Sequence, residues 1–580
     1  MPARSVGVWA WYPAILVGIC GLPFFSCVDQ AVVDYSNETT VPEGGPVYDP
    51  GAGPGPSVSG LAGNLDISGD SAGFPTSPVT SFEDGALESH LDPPAVGDPA
   101  PPSSLPMQVE EEDVSPEHQD PPETVDPVPE TSADVWPPSM PPQSSEPCTT
   151  CKYVDGTEGS DEYDGGSATP WKTVMKAVRS LASGETAIIR PGVYDEHVVV
   201  TTGGISLRAE GMVSVKSVRV GGAVPVDGVS ILGFTINNAL GYGIDVFGAN
   251  CRVEENTIYF ASEGGIILRT SAEDPNRTER CIVRNNRIQR CAQFGLDIRG
   301  RDHLVEGNEI WDTIQHHPAR IPSPAWADAD GIHFHGSGHL FKNNYIHDIV
   351  FDGQAVIDSH TDCFQTFVAE NGRVPAHHIV FDGNRCINPQ YHSSVEAATG
   401  FMIADASDLV FKNNVVVAYV GIHAGKNSLK NSTIVNNTFV GILDPAILKG
   451  CQVGVDCWPV GIVLQAASTI SIFNNIFYHF QYRAMELKGT ANVDIVEDYN
   501  LVFRADAQPA VGRLPSPNGI HDLWDIDPLF VDLVGNDFRL LPTSPALHAG
   551  TTVENDHDIA GSPRPSGSGF DLGAYEHTSK

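Results

Sequence analysis

A chain that repeats one short phrase every two dozen residues or so can bury the apolar half of that phrase only by stacking its repeats. Between Gly241 and Phe477 this chain is written that way. The first half reads Gly, apolar, any residue, apolar, as in Gly243-Ile244-Asp245-Val246, Gly265-Ile266-Ile267-Leu268, Gly295-Leu296-Asp297-Ile298, Gly331-Ile332-His333-Phe334 and Gly461-Ile462-Val463-Leu464. Cys363-Phe364-Gln365-Thr366 is the same phrase with Cys for Gly. The second half is Asn-x-apolar, at Asn256, Asn286, Asn308, Asn344, Asn384, Asn414, Asn437 and Asn475, each with an apolar residue three positions earlier.

The shortest full repeat, Gly243 to Gly265, is the length of one solenoid coil. Alternation within each run has period two, so the coil is made of short strands. Each strand then bonds to its copy in the next coil at about 4.8 Å. Ile, Val and Phe stack inside, and each Asn is placed to ladder through its side-chain amide where the coil bends. The expected fold is all-β, a right-handed parallel β-helix, and these residues resemble the pectate-lyase-like superfamily.

A net charge of −40 argues against a nucleic-acid partner. Residues 1–27 read as a secretory signal peptide, interrupted by Pro13 and Pro23. Their end, Phe24-Phe25-Ser26-Cys27, resembles a bacterial lipoprotein cleavage site, which makes Cys27 the candidate lipidated residue and a lipid anchor the only expected membrane contact. Residues 28–147 contain no Lys or Arg and many Pro, Asp and Glu, the composition of a disordered acidic spacer. Among the eleven cysteines, Cys148 with Cys151 and Cys451 with Cys457 are spaced to close short loops, while Cys251 and Cys281 fall in one stacked column and either pair or pack as thiols.

Residues 148–240 form the expected entry and cap. Gly159-Ser160-Asp161, Pro170-Trp171-Lys172-Thr173 and Ile189-Arg190-Pro191-Gly192-Val193-Tyr194 are similar to the entry of many secreted bacterial β-helix proteins. Trp171, Val174, Met175, Val178 and Leu181 have helical spacing, so a helix over this stretch plugs the open end of the coil. Residues 241–503 are the expected core and 504–580 a closing segment, in which Asp527-Pro528-Leu529-Phe530 and Asp571-Leu572-Gly573-Ala574-Tyr575-Glu576 resemble the same proteins. Asp556-His557-Asp558 lies inside that segment and is read as structural.

Departures from the repeat mark loops, where function concentrates on a rigid solenoid. Insertions fall near 311–329, 344–363, 384–400, 270–278 and 368–376, on both edges of the Gly strand in the middle coils. They would wall a cleft floored by that strand. Alternation turns Ile332 and Phe334 inward and His333 and His335 outward. Aligning the coils gives one outward column of Asp245, Ile267, Asp297, His333, Gln365, Met402, His423 and Val463. A second contains Phe247, Arg269, Arg299, His335, Phe367, Ala404, Gly425 and Gln465. Eleven of the 20 histidines lie between His303 and His392.

Acid, base and cation together suit cleavage or epimerisation of an acidic sugar, in which the uronate carboxylate is neutralised, a base takes the C5 proton and an acid serves the leaving oxygen. His333, His335, Arg299 and Asp297 are the candidate catalytic residues, and Arg269, Gln365, Phe367 and Asp362 the candidate substrate-binding ones. Arg269 and Arg299 are placed to clamp the carboxylate. Asp330, Asp362, His333 and His335 form a candidate site for a divalent metal, calcium or zinc. The resemblance implies carbohydrate work, although no floor lysine and no paired-aspartate run match the best-known members. The expectation is a secreted or surface-tethered monomer acting as a lyase on an acidic polysaccharide. Metal-assisted hydrolysis, uronan epimerisation and a non-catalytic glycan-binding adhesin are the alternatives.

Overall fold

The structure is a computed structural model that describes residues 150–317, 328–349, 360–367, 373–391, 398–426, 429–448, 457–489, 491–503 and 519–578. The expected leader with Cys27 and the expected acidic spacer lie outside these residues, as do Cys148 and Cys451. Among the described residues no helix is long and apolar enough to cross a membrane.

The chain winds as a right-handed parallel β-helix with three strand columns per coil. One column is an eleven-stranded sheet of Gly-phrase strands: β1 (His197–Val200), β2 (Ser217–Val220), β3 (Tyr242–Val246), β4 (Gly264–Leu268), β5 (Gln293–Ile298), β6 (Ala329–Phe334), β7 (Phe364–Gln365), β8 (Thr399–Ile403), β9 (Val420–Lys426), β10 (Val460–Gln465) and β11 (Arg483–Lys488). Each bonds to the next in sequence order. The other two columns flank the Asn and belong to one 24-stranded sheet. Coils begin earlier than expected, since Lys152–Val154 already pairs in parallel with Thr186–Ile189.

The corner at each Asn explains the Asn-Asn doublets. The preceding residue has positive φ every time, including Asn285 (55°), Asn343 (51°), Asn413 (58°), Asn436 (53°) and Asn474 (59°), a conformation that Asn tolerates better than most side chains. The ladder Asn then turns inward. The Asn344 amide donates to Asn384 Oδ1 at 2.9 Å and to the Val305 carbonyl at 2.9 Å, and Asn384 repeats the pattern with Asn414 Oδ1 and the Phe341 carbonyl. The chain of amides runs unbroken from Asn256 to Asn500. Between the corners, Phe341, Phe381 and Phe411 stack with ring centroids 5.1 Å apart at each step.

The helix α1 (Val174–Ser180) is shorter than its apolar spacing suggested. Thr173 caps it through its hydroxyl, and Trp171 is held one step earlier by a bridge to Val154. Val174, Ala177 and Val178 bury against Val154 and Val198 and close the first coil. At the other end the closing segment first adds Leu523–Trp524 in parallel to Leu501 and Val502. Phe538, Leu540, Ile559, Leu572 and Ala574 then return along the flank of the solenoid over Val415, Val417, Val440 and Ile476. There His557 meets Asp382 at 3.0 Å, while Asp558 accepts backbone N–H groups of Ser562 and Glu576, so this acid-His-acid run fastens the segment to the coils.

The amide ladder ends in carboxyls. The Asn500 N–H donates to Asp522 Oδ1 at 2.7 Å, its amide reaches Glu497 Oε2 at 3.3 Å, and Glu497 Oε1 accepts the Gly519 N–H. Burial and the neighbouring Asp522 push the Glu497 carboxyl up to about 8 from 4.5. A raised folded-state acid favours the protonated fold, so its stabilisation is lost as pH rises from about 4.5 to 8. Thermal unfolding followed by circular dichroism should show a midpoint that falls between pH 5 and pH 9 in the wild type and falls less in Glu497→Gln. For the ladder itself, Asn384→Ala leaves buried donors and acceptors without partners and should cost about 3 kcal/mol in denaturant unfolding.

Candidate functional site

Strand pairing brings the expected first column together. In β5, β6 and β7 it sets Asp297 beside His333 and His333 beside Gln365. Asp245 and Ile267 continue it on one side, Met402, His423 and Val463 on the other. The second column holds through Arg269, Arg299 and His335, whose N–H groups bond to Val246, Leu268 and Ile298 of the preceding coil. It breaks at β9 and β10, where a register shift pairs Gln465 with Lys426 and not with Gly425.

The two arginines are not open clamps. The Arg299 guanidinium is closed on Asp297, two residues away on the same face of β5. Burial opposes ionisation of Asp297, but Arg299 outweighs it and holds the carboxyl down at about 2. Arg269 is bonded to Asp245 at 2.7 Å, packs over Phe247, and shares Asp245 with Arg219 at 2.9 Å. Ladder neighbours of opposite charge neutralise one another before any ligand arrives. An incoming carboxylate would have to displace Asp297 or Asp245.

His335 does not face solvent either. It is 1% exposed beneath Phe367, whose ring lies 4.6 Å away edge-on, and neither ring nitrogen has a hydrogen bond. Burial drives its pKa down to about 3. Its carbonyl is fixed by His339 Nε2 at 2.9 Å, as the Arg299 carbonyl is by His303 Nε2. His303 and His339 stack at 4.9 Å in the column that begins with Cys251 and Cys281, which are free buried thiols. The disulfide of this region is instead Cys363–Cys386, and Cys151 and Cys457 are also disulfide-bonded.

The concentration of chemistry lies at the entry edge of β6 and β7. His333 Nε2 is hydrogen-bonded to Asp330 Oδ2 at 2.8 Å, and Asp330 Oδ1 accepts the Asp362 N–H at 2.7 Å. Asp362 Oδ1 accepts the Thr399 N–H at 3.1 Å, while Asp362 Oδ2 is buried without a hydrogen bond. The His360 ring stands 3.7 Å from that oxygen and 2.8 Å from the Gln365 amide. Asp328 accepts the His360 N–H at 3.0 Å. Burial first, and then the neighbouring carboxylates, push both Asp330 and Asp362 well above the usual range. Burial pushes His333 down, so the imidazole is uncharged at neutral pH.

Two carboxyls buried out of water, Asp330 and Asp362, with the half-buried Asp328 beside them, are costly unless something offsets their charge. Ligand atoms of Asp328, Asp330 and His333 lie within 4.8 Å of one another. This set fits a divalent cation. It keeps Asp330 and His333 from the sequence reading, leaves out Asp362 and His335, and adds Asp328. The signal for Asp328 was present in Asp328-Ala329-Asp330, where alternation puts two acids on one side of a strand.

Residues 221–360 and 275–458 match the family model described as right handed beta helix region, and the chain is a right-handed parallel β-helix protein. Among solved structures it is similar to the pectate lyase Pel9A at 16% identity and a TM-score of 0.42, over 74% of this chain and 97% of that one. It is also similar to the A-module of the Azotobacter vinelandii mannuronan C-5 epimerase AlgE6 at 10% identity and a TM-score of 0.42, over 64% and 99%. A third is the PL6 family alginate lyase AlyGC, at 13% identity and a TM-score of 0.40, over 70% and 58%. At such identities the likeness concerns fold alone. No curated protein matches the chain.

If the carboxyl crowding is relieved by a cation, Asp362→Asn should relieve it too, because its Oδ1 still accepts the Thr399 N–H. In chelator, differential scanning calorimetry should give a higher midpoint for Asp362→Asn than for the wild type. Added calcium should raise the wild-type midpoint more than that of the variant.

Proposed function

We propose that this chain is a polysaccharide-modifying enzyme that cleaves a uronate-containing chain by β-elimination at the edge of β6 and β7. The observation that carries the reading is the cluster of Asp328, Asp330 and an uncharged His333, whose ligand atoms lie within 4.8 Å of one another. Asp328 and Asp330 would hold a divalent cation, and carboxylate oxygens suit calcium. When bound, the cation supplies neutralisation of the uronate carboxylate, the role that the paired Arg299 and Arg269 do not leave free. His333 is the base for the C5 proton: it is neutral, and Asp330 fixes its orientation through Nε2. Gln365, one coil on, holds the His360 ring at the rim, where it is the most solvent-open imidazole of the group. Phe294 and Phe367 pack against the His333 ring at 5.1 and 5.5 Å and exclude water around it.

A second reading follows from the same contacts. If His333 ligates the ion with Asp328 and Asp330, the mixed oxygen and nitrogen set suits zinc and a metal-activated water, and the reaction is hydrolysis. Uronan epimerisation would share the proton abstraction and leave the chain uncut. The proposal extends to location: a leader over residues 1–27, tethering through Cys27, and work outside the cell by a monomer. The disulfide Cys363–Cys386 suits an oxidising compartment.

The test offers the full-length protein acidic and neutral polysaccharides after chelation, with calcium or zinc restored, and reads both ultraviolet absorbance of unsaturated products and new reducing ends. β-Elimination predicts absorbance growth on a uronate polymer that calcium restores, and a loss of about 100-fold or more in kcat for His333→Ala with little change in thermal midpoint. Reducing ends without absorbance, restored by zinc, would move the reading to hydrolysis. Undiminished turnover in His333→Ala would remove it from the proposed role.

A further inference from the structure

We propose that the indole of Trp458 is a sugar-stacking subsite for the same polysaccharide chain, three coils along the solenoid from the His360–Asp362 end of the carboxyl cluster. The inference rests on the functional reading above and adds to it a direction and a length of bound chain.

Register places Trp458 on the track. It stands three residues before Gly461, as Asp328 stands before Gly331 and His360 before Cys363. Pairing carries this alignment from β7 through β8 and β9 to β10, with Phe364 beside Phe401, Phe401 beside Ile422 and Ile422 beside Ile462. Three coil spacings put the indole roughly 14 Å from His360 along the axis. A pyranose repeat is comparable in length to one coil spacing, so a chain lying along the edge reaches Trp458 a few residues beyond the bond at the cluster.

The indole is presented and held. It is 37% exposed, against 4% for Trp171. Its N–H on the backbone donates to the Tyr419 hydroxyl, and Tyr419 is itself buried and stacked on Tyr391 at 4.8 Å. Cys457 before it is fully buried and disulfide-bonded, and Pro459 after it restricts the backbone. A backbone fixed in advance loses little freedom on binding. Three other aromatic rings of the outer surface are covered: Trp311 by Arg287 and His347, Tyr345 by His347 and Arg385, Tyr482 by Arg483. Among the described residues no ring or cation stacks on Trp458. An apolar face of this kind takes the C–H face of a sugar ring, and continuity with the cluster on one sheet edge identifies the occupant as the substrate chain.

The experiment measures affinity without turnover. Full-length His333→Ala, with calcium present, is titrated with uronate oligosaccharides from trimer to decamer in parallel with His333→Ala/Trp458→Ala and His333→Ala/Trp458→Phe, by isothermal titration calorimetry. The subsite predicts about tenfold weaker binding of the longest oligomers by the Ala variant, a smaller loss for Phe, and unchanged trimer affinity. Equal affinities for long oligomers with and without the indole would overturn the subsite while leaving the cluster as proposed. An equal loss at every length would also overturn it. Failure of the His333→Ala parent to bind any length would overturn the functional reading and the subsite together. A change in sedimentation mass on removing the indole, with no length-dependent loss, would assign it to contact between copies.

Discussion

Everything in this solenoid depends on one requirement: an amide buried at a bend must find hydrogen bonds, and it finds them in side-chain amides and backbone carbonyls of the stacked coils. Asn344 meets it with Asn384 Oδ1 and the Val305 carbonyl, and its own oxygen accepts from Asn308. That fixes the stagger of each coil on the last. The register of β3 to β11 is then no longer free, because each strand starts a set distance from a fixed corner. Apolar stacks such as Phe341, Phe381 and Phe411 fill the lumen, but hydrophobic burial has no direction and would tolerate a slip that the amides do not.

A fixed register converts sequence periodicity into columns of side chains, and the columns are where chemistry becomes possible. Outward positions on adjacent coils lie within side-chain reach, so Asp297, His333 and Gln365 are neighbours although dozens of residues separate them. The same closeness imposes a cost on like charges. Arg219 and Arg269 meet it by pairing with Asp245 between them. Asp328, Asp330 and Asp362 do not alternate, and two of them are held well above the ordinary carboxyl range with one oxygen unpaired. Buried carboxyls left crowded beside an imidazole point to an ion or a substrate as the missing partner.

The fold and the floor were legible because period-two alternation and the Gly and Asn markers are local signals. The first outward column was read residue for residue from them. What escaped the reading was set by contacts that alignment of coils does not weigh. Asp297 and Arg299 were both placed outward, yet two residues apart on one face they bind each other before they bind a ligand. His335 was placed outward too, and the Phe367 ring beside it seals it from water. Cys363 and Cys386 sit 23 residues apart in one coil and meet inside it, whereas the column argument drew attention to Cys251 and Cys281 one coil apart. Composition gave no sign that the closing segment would fold back on the flank over Val415 and Ile476.

The central claim is that Asp328 and Asp330 hold a divalent cation at His333. Isothermal titration calorimetry of calcium into chelator-stripped full-length protein tests it without any substrate. The account predicts one saturable site above the diffuse binding of an acidic chain, absent from Asp330→Asn and retained in Asp245→Asn. No saturable site, or one that survives Asp330→Asn unchanged, would contradict it.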